Sequence, residues 1–445
     1  MMIYKDKSKS VAERVENLLS LMTTEEKAGQ LVQPFGWQTY TQDQGNITLN
    51  ETFKRQVEKG GVGSLYGTLR ADPWTGVTLE NGLSAKAGAE VVNLIQRYAV
   101  DHSRLGIPIL IGEECSHGHM AIDGTVYPVP LLLGSTWNVE LYQDMCRAVA
   151  LETRAQGGVV TYSPVLDVVR DPRWGRTEEC FGEGTIDLRT GASNVSEYSW
   201  NDMECGEGID RMTLGLAGVQ LELMQEIYKL GKTMIVVYIN GRPIAEPWVD
   251  EHADAILEAW YPGQEGGHAI ADLLFGDVNP SGRLTISIPK HVGQLPVYYN
   301  GKRSRGKRYL EEDLEPRYVF GYGLSYTTFE YSKPKLTRTS MTSIEHVTLT
   351  VEITNTGQRS GAEVVQLYIA DIVSQMTRPA KELKAFSKIR LEPGETRTVA
   401  FQIGAEQLQY IGRDLKPVVE PGQFHLHVGR NVNDTQWIEL TVEEA

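Results

Sequence analysis

Apolar residues recur at helical spacing near the start of the chain and at alternate positions toward its end. Val11, Val15, Leu18, Leu19 and Met22 predict a first amphipathic helix. Thr23-Thr24-Glu25-Glu26 follows, with a hydroxyl and a carboxylate three positions apart. Each side chain can satisfy a backbone amide beside the other, which predicts the start of a second helix running through Leu31. Beyond it, Val62–Tyr66, Pro108–Ile111 and Val159–Ser163 read as strands, with helices at Ala85–Val100 and Val139–Gln156 between them. That alternation predicts parallel βαβ units. About three strands precede Glu183, whereas a closed (β/α) barrel takes eight in roughly 250 residues, so a barrel here is expected to be partial.

From near Gly184 a second region predicts an α/β layered domain. Val219, Leu223, Ile227 and Leu230 place an apolar face on one helix, and Met234–Ile239 is a continuous apolar strand of the kind buried on both faces. Ala255–Trp260 reads as a further strand, leading through a glycine-rich turn into the helix His268–Leu274. From Phe329 onward the period changes to two. Val347–Ile353, Glu363–Ala370, Thr396–Ile403 and Gln423–Val428 are short strands broken by turns such as Asn355-Thr356-Gly357, the pattern of a β-sandwich. The expected domains are therefore residues 1–183, 184–328 and 329–445.

With 41% hydrophobic and 23% charged residues in 445, the composition is that of a folded globular protein. A net charge of −15 argues against nucleic acid as a partner, because phosphate binding needs clustered cations. The one basic cluster, Lys302, Arg303, Arg305, Lys307 and Arg308, runs straight into Glu311, Glu312 and Asp313 and reads as a solvated loop. Met1–Ser10 is polar with no apolar run behind it, so neither a secretory signal nor a membrane span is expected, and a cytoplasmic location follows as an expectation. Cys115, Cys146, Cys180 and Cys205 have no paired spacing and read as reduced thiols.

Two polar segments carry the candidate chemistry. One is Glu204–Arg211, in which Gly206 and Gly208 flank Glu207 and let its backbone approach a ligand closely. The other is Arg170–Glu179, a cluster of charge around Trp174. With Gly112–Gly118, Tyr127–Leu131, Gly241-Arg242-Pro243, Trp260–Gly267, Asn279–Leu284, Phe320–Tyr326 and Arg378–Leu383, they stand in an order that resembles the family 3 glycoside hydrolases of the β-glucosidase and β-xylosidase type. The likeness runs over nearly the whole chain. It implies a (β/α) barrel, an α/β sandwich domain carrying the acid/base loop, and a fibronectin-type-III-like tail. It also implies a cofactor-free retaining cleavage of β-linked glycosides or oligosaccharides.

The resemblance places the acid/base at Glu207, with Glu204 its nearest rival in the same loop. It makes Glu114 and Arg176 the groups that hold sugar hydroxyls, through carboxylate acceptors and a planar guanidinium fork. Trp174 is a candidate to stack on a sugar or to pack the wall, and Arg176 could equally pair with Glu178 or Glu179. His117-Gly118-His119 beside Glu113 looks like a metal site, but the family makes it a packing loop, and no metal is expected. Neither Gly206–Gly208 nor Gly263–Gly267 has a nucleotide-binding pattern, so no cofactor is expected.

The chain departs from the family after Phe181-Gly182-Glu183. The family continues there with a helix, a Lys-His pair on the sugar hydroxyls, and a strand end whose Asp is the nucleophile; this sequence has none of them. Lys290-His291 follows Thr285–Pro289 in another context and reads as structural. Without the nucleophile, no glycosyl-enzyme intermediate can form. Three readings stand: an ordinary enzyme whose internal segment is missing from this sequence, a carbohydrate-binding remnant without turnover, or a truncated product without function. A barrel short of units is also expected to expose apolar faces, and so to self-associate or to leave the N-terminal region of low stability.

Overall fold

The computed structural model describes residues 2–43, 45–183, 205–302 and 309–444. They fall into two compact units. The first holds residues 2–127 and 143–165, and the second holds 128–142, 166–183 and the described residues from 205 onward.

In the first unit, α1 (Val11–Leu21) and α2 (Thr24–Gly29) both begin at reciprocal capping boxes, Ser10 with Glu13 and Thr23 with Glu26. A hairpin of β1 (Tyr40–Asp43) and β2 (Asn46–Leu49) leads into α3 (Glu51–Glu58), whose first turn is capped by the Asn50 side chain. Next come β3 (Ser64–Tyr66), α4 (Ala85–His102) and β4 (Leu110–Glu113). In the chain α5 (Pro130–Ser135) and α6 (Val139–Ala155) follow, then β5 (Val160–Thr161). The strands β3, β4 and β5 form one parallel sheet in that order, with Leu65 opposite Ile111 and Gly112 opposite Val160. One face of this sheet is buried by α3 and α4: Leu65 and Ile111 lie against Phe53, Val57, Val91 and Ile95.

The predicted βαβ order is present, with three parallel strands among the described residues of this unit. The burial expected of α1 is not. It forms where its periodicity places it, but none of its residues is buried, and Val11, Val15 and Leu19 face solvent. Its tethers are polar ones at its edge, the Arg14 guanidinium donating to Tyr4 O at 2.8 Å and Tyr4 N donating to Asn17 at 3.1 Å. Leu31, Val32, Leu110 and Val159 are exposed as well.

In the second unit, α7 (Gln220–Tyr228), β6 (Ile235–Tyr238), α8 (Pro247–His252), β7 (Ala255–Glu258) and α9 (Gly266–Phe275) make the α/β part, and β6 and β7 pair in parallel. Two expectations change here. The strand predicted to be buried on both faces has Val236 and Tyr238 inside and Ile235 and Ile239 outside, because the helices cover one side of a two-stranded sheet. The helix face predicted from Val219, Leu223, Ile227 and Leu230 is the exposed one. Leu221 and Met224 make the packing contact instead, against Val236, Tyr238 and Val249. The helix carries two apolar stripes, and periodicity does not say which of them meets the sheet.

The sandwich matches its expected pattern. Its strands are β8 (Phe329–Tyr331), β9 (Lys335–Leu336), β10 (Ser340–Thr342), β11 (Val347–Asn355), β12 (Gly361–Asp371), β13 (Glu382–Leu391), β14 (Thr396–Ile403), β15 (Tyr410–Ile411), β16 (Pro417–Val418), β17 (Gly422–Gly429) and β18 (Thr435–Glu443). One sheet runs β10-β18-β17-β12-β13, and the other runs β14-β11-β8 with β9 also on β11. Val347, Leu349, Val351 and Ile353 of β11 point inward at alternate positions and meet Phe424, Leu426 and Val428 of β17. The interior strand β12 is buried on both sides. Val365, Leu367 and Ile369 face the sandwich core, whereas Val364 and Tyr368 pack with Trp137 and Phe320 from earlier in the same unit. A buried ion pair, Arg283 to Glu363 at 2.6 Å, joins the same surfaces, and the Tyr331 hydroxyl donates to the other oxygen of Glu363 at 2.8 Å.

Candidate functional site

The candidate residues form two clusters, one in each unit. Glu114 belongs to the first, directly after β4. Parallel strands end together, so Tyr66 at the end of β3 and Glu114 just past β4 emerge side by side. The Tyr66 hydroxyl donates to Glu114 Oε1 in a short bond and accepts a short bond from Arg70 Nη1. Arg70 also donates through Nε to Asp72 and stands 3.6 Å from Glu114. Burial and the neighbouring Glu114 carboxylate hold the Tyr66 hydroxyl well above its usual range. The carboxylate is thus fixed by a phenol and a guanidinium, while sequence reading identified Glu114 alone. Tyr66, Arg70 and Asp72 carried no motif of their own.

The adjacent Glu113 turns inward. Burial pushes its carboxyl up to about 8, against the pull of the Leu69 and Thr68 amides. His117 and His119 are buried with it, and His119 Nε2 lies 4.0 Å from Glu113 Oε2. Burial pulls His119 down to about 4, so the imidazole is neutral at physiological pH and fits the packing role.

In the second unit the two segments singled out in the sequence meet. Gly206 N donates to Gly175 O at 2.7 Å, Arg211 N to Arg173 O at 2.9 Å, and Gly175 N to the Asp210 carboxylate at 2.7 Å. The approach requires glycine: a Cβ on Gly175 would sit 2.1 Å from Gly206 O. Gly206 and Gly208 have φ of 139° and 77°, values that other residues resist, and between them they turn Glu207 outward. Arg242 clamps both segments from beneath, donating to Arg173 O at 2.8 Å and to Ile209 O at 2.9 Å.

Arg176 projects from the same knot. Its guanidinium binds Glu179 at 2.7 Å, the ion pair open to it in the sequence, and also approaches Glu207 Oε1 to 3.5 Å, a contact the sequence did not announce. The hydrogen bond that Arg176 donates to Glu179, more than the Glu207 charge, holds Arg176 above its ordinary range. The Glu207 side chain is 78% exposed, so the second unit does not enclose it. Trp174 is half-buried, and its carbonyl accepts from Thr177. Glu204 lies outside the described residues, as do residues 303–308 of the basic cluster.

The structural reading of Lys290-His291 fits its surroundings. Lys290 Nζ binds Glu312 at 2.7 Å and Asp313 at 2.9 Å, and His291 Nδ1 accepts from Gly293 N at 3.0 Å. Glu183, where the chain leaves the family pattern, is buried and accepts from Ser287 and Tyr299; burial pushes it up to about 7. Cys115 and Cys205 are buried thiols pushed up to about 12, which makes them poor nucleophiles.

A three-stranded parallel sheet, an α/β layer with a glycine-flanked glutamate, and a terminal β-sandwich together define a modular α/β protein with a fibronectin-like tail. Family models agree segment by segment: the glycosyl hydrolase family 3 N terminal domain matches residues 23–195, its C-terminal domain 189–326, and a fibronectin type III-like domain 363–432. The chain belongs to glycosyl hydrolase family 3.

Among its relatives, a β-xylosidase of Formosa agariphila is 48% identical over 273 residues, covering 60% of this chain and 38% of that protein. A periplasmic β-glucosidase of Salmonella typhimurium is 45% identical over 234 residues, covering 50% of this chain and 31% of that protein. The matched region thus spans about a third of the length of these relatives. A β-glucosidase structure from Erythrobacter marinus superposes with a TM-score of 0.85 at 22% identity, over 99% of both chains. One from Listeria innocua in complex with glucose gives 0.82 at 21%, over 97% of this chain and 99% of that one. These two establish the shared fold.

Proposed function

We propose that the chemistry of this chain is that of a retaining glycosidase acting on terminal β-D-glucosides or β-xylosides, with Glu207 as the acid/base and Glu114, Arg176 and Trp174 holding the sugar. We propose further that the chain as it stands does not turn substrate over. One observation carries the assignment of roles: the knot that joins Arg170–Arg176 to the Gly206–Arg211 loop and points Glu207 outward with Arg176 3.5 Å away. A carboxylate on a rigid, glycine-flanked turn can be presented to a glycosidic oxygen, and the neighbouring guanidinium can orient the ring beneath it.

Retaining cleavage needs a second carboxylate about 5–5.5 Å away to attack the anomeric carbon. Among the described residues, no Asp stands in the strand-end context that the family uses for it. Asp167 and Asp171 belong to the arginine-rich loop, Asp171 being tied to Arg173, and Asp210 caps Gly175. An activated aryl β-glucoside or β-xyloside tests this, because its leaving group barely needs the acid and depends on the nucleophile. The purified chain should give no turnover above a Glu207→Gln control. Substantial hydrolysis by the parent chain, slowed in that control because the general base is lost from the second step, would mean that another carboxylate has taken the nucleophile's place. The intact mass of the native protein separates a missing internal segment from a genuinely shortened protein.

A further inference from the structure

The carboxyl end of β6 opens on a cavity of about 540 Å³ within the second unit, walled by Leu216, Met224 and Val237 and bordered by Asn240, Arg211 and Arg242. The space beyond the carboxyl ends of parallel strands is where an open α/β sheet receives ligands, and this volume falls in the range of small-molecule sites. Most of the polar lining is already answered. The Cys205 thiol and the Tyr261 hydroxyl bond each other at 2.9 Å. Arg242 donates to the carbonyls of Arg173 and Ile209, and Glu178 offsets part of its charge. Two groups are not answered. Asn240 is 6% exposed, and although its Nδ2 donates to Arg242 O at 2.6 Å, its Oδ1 has no hydrogen-bond partner among the described residues. Arg211 has no carboxylate within ion-pair distance among those residues, and its charge adds to that of Arg242.

We propose that this cavity binds a small hydroxylated carboxylic acid, with its carboxylate on the Arg211 guanidinium and a hydroxyl donating to Asn240 Oδ1. A buried acceptor without a donor is costly, so a ligand that brings an O–H recovers what the fold gives up. Two guanidiniums at one cavity repel each other and favour an anion, and the planar fork of Arg211 matches a carboxylate through two parallel bonds. The apolar wall decides between anions. Inorganic phosphate would leave Leu216, Met224 and Val237 against water, whereas a short carbon chain covers them between the cation and the amide. A neutral polyol would leave Arg211 unpaired, and an unsubstituted fatty acid would leave Asn240 Oδ1 without a donor. The site is built from the second unit alone, and it depends neither on the roles proposed for Glu114 and Glu207 nor on turnover.

The test titrates the full chain by calorimetry with threonate, with threitol, which lacks the carboxylate, and with butyrate, which lacks the hydroxyls. Threonate should bind saturably, and each of the other two about tenfold or more weakly. Arg211→Gln and Ala217→Trp, the second of which fills the cavity, should each weaken threonate by a similar factor. Both positions are partly exposed, so the circular dichroism spectrum should not change. Arg211→Lys, which keeps the charge and loses the fork, should recover part of the affinity. Threitol bound as tightly as threonate overturns the anion, and butyrate bound as tightly overturns the role of Asn240. Threonate binding unchanged in both Arg211→Gln and Ala217→Trp, or lost in Arg176→Ala instead, puts the acid elsewhere and overturns the site. No saturable binding of threonate by the parent chain overturns the proposal outright.

Discussion

The sandwich and the three-stranded parallel sheet are both built from short strands, yet they complete their burial to very different degrees. In the sandwich each sheet covers the other, and alternate residues of β11, β14 and β17 meet across one core. In the parallel sheet, α3 and α4 cover one side, while Leu110 at the start of β4, Val159 just ahead of β5, and Leu31 and Val32 before β3 stay in solvent. A strand that alternates carries its own instruction for burial. A βα unit depends on the neighbouring units to finish its core, and among the described residues the three strands here leave apolar surface unmatched.

The largest expected effect probes how far the sandwich relies on the rest of its unit. Arg283→Met leaves Glu363 as a buried carboxylate without its cation and should cost about 3–5 kcal/mol in urea denaturation of the full chain. In the isolated segment 329–445, which should fold by itself, Glu363→Gln should be stabilising instead, because Arg283 is not there to be lost. An unfolded dichroism spectrum for that segment would end the claim that the sandwich is self-sufficient.

Truncating the two regions at matched residues sharpens the contrast. Leu349→Ala in the sandwich core should cost about 2–5 kcal/mol, and Leu31→Ala in the first unit should stay within about 0.5 kcal/mol. Equal losses would mean that Leu31 is covered in solution, most simply by another copy of the chain. Light scattering checks this directly: concentration-dependent association is expected of the parent and should weaken in Leu110→Lys with Val159→Lys.

The buried acid of the first unit gives a smaller effect with a defined sign. Glu113 is raised from 4.5 to about 8 on folding, so the folded state binds the extra proton, and stability falls as pH rises between those values. His119 is lowered from 6.5 to about 4 and acts the other way, losing stability as pH falls through that window. Between about 6.5 and 8 only Glu113 of this pair contributes. Glu113→Gln should therefore gain on the parent there, by at most about 1.4 kcal/mol per pH unit. A flat difference between the two proteins over that range would show that Glu113 is not enclosed.

Much of this was legible in the sequence because it was written locally. The capping box at Thr23 and Glu26, the strand alternation after Phe329, and the singling out of the Arg170 and Glu207 segments all rest on neighbouring residues or on an ordered motif, whereas the contact between those two segments came only with the structure. What failed was decided by partners. The Val11–Met22 stripe and the Val219–Leu230 face have helical periodicity, but nothing in a period says whether a second surface arrives to cover it. An aromatic cluster beside Tyr66 was missed for a related reason. Phe35 and Trp37 lie far from Trp74 in the chain, all three lie outside the named strands and α-helices, and the bridge of Phe35 to Tyr66 brings the first two to the end of β3, with Trp74 5.3 Å from Phe35.

Arg242 has a consequence for the timing of motion around Glu207. Because one guanidinium holds the carbonyls of both Arg173 and Ile209, neither loop can lift without releasing the other. The amides of Gly175, Gly206 and Arg211 should then exchange with deuterium at one common rate, as a single opening event, despite their separation along the chain. In Arg242→Met that shared rate should split into independent, faster ones, with Glu207 left on a loop that opens alone.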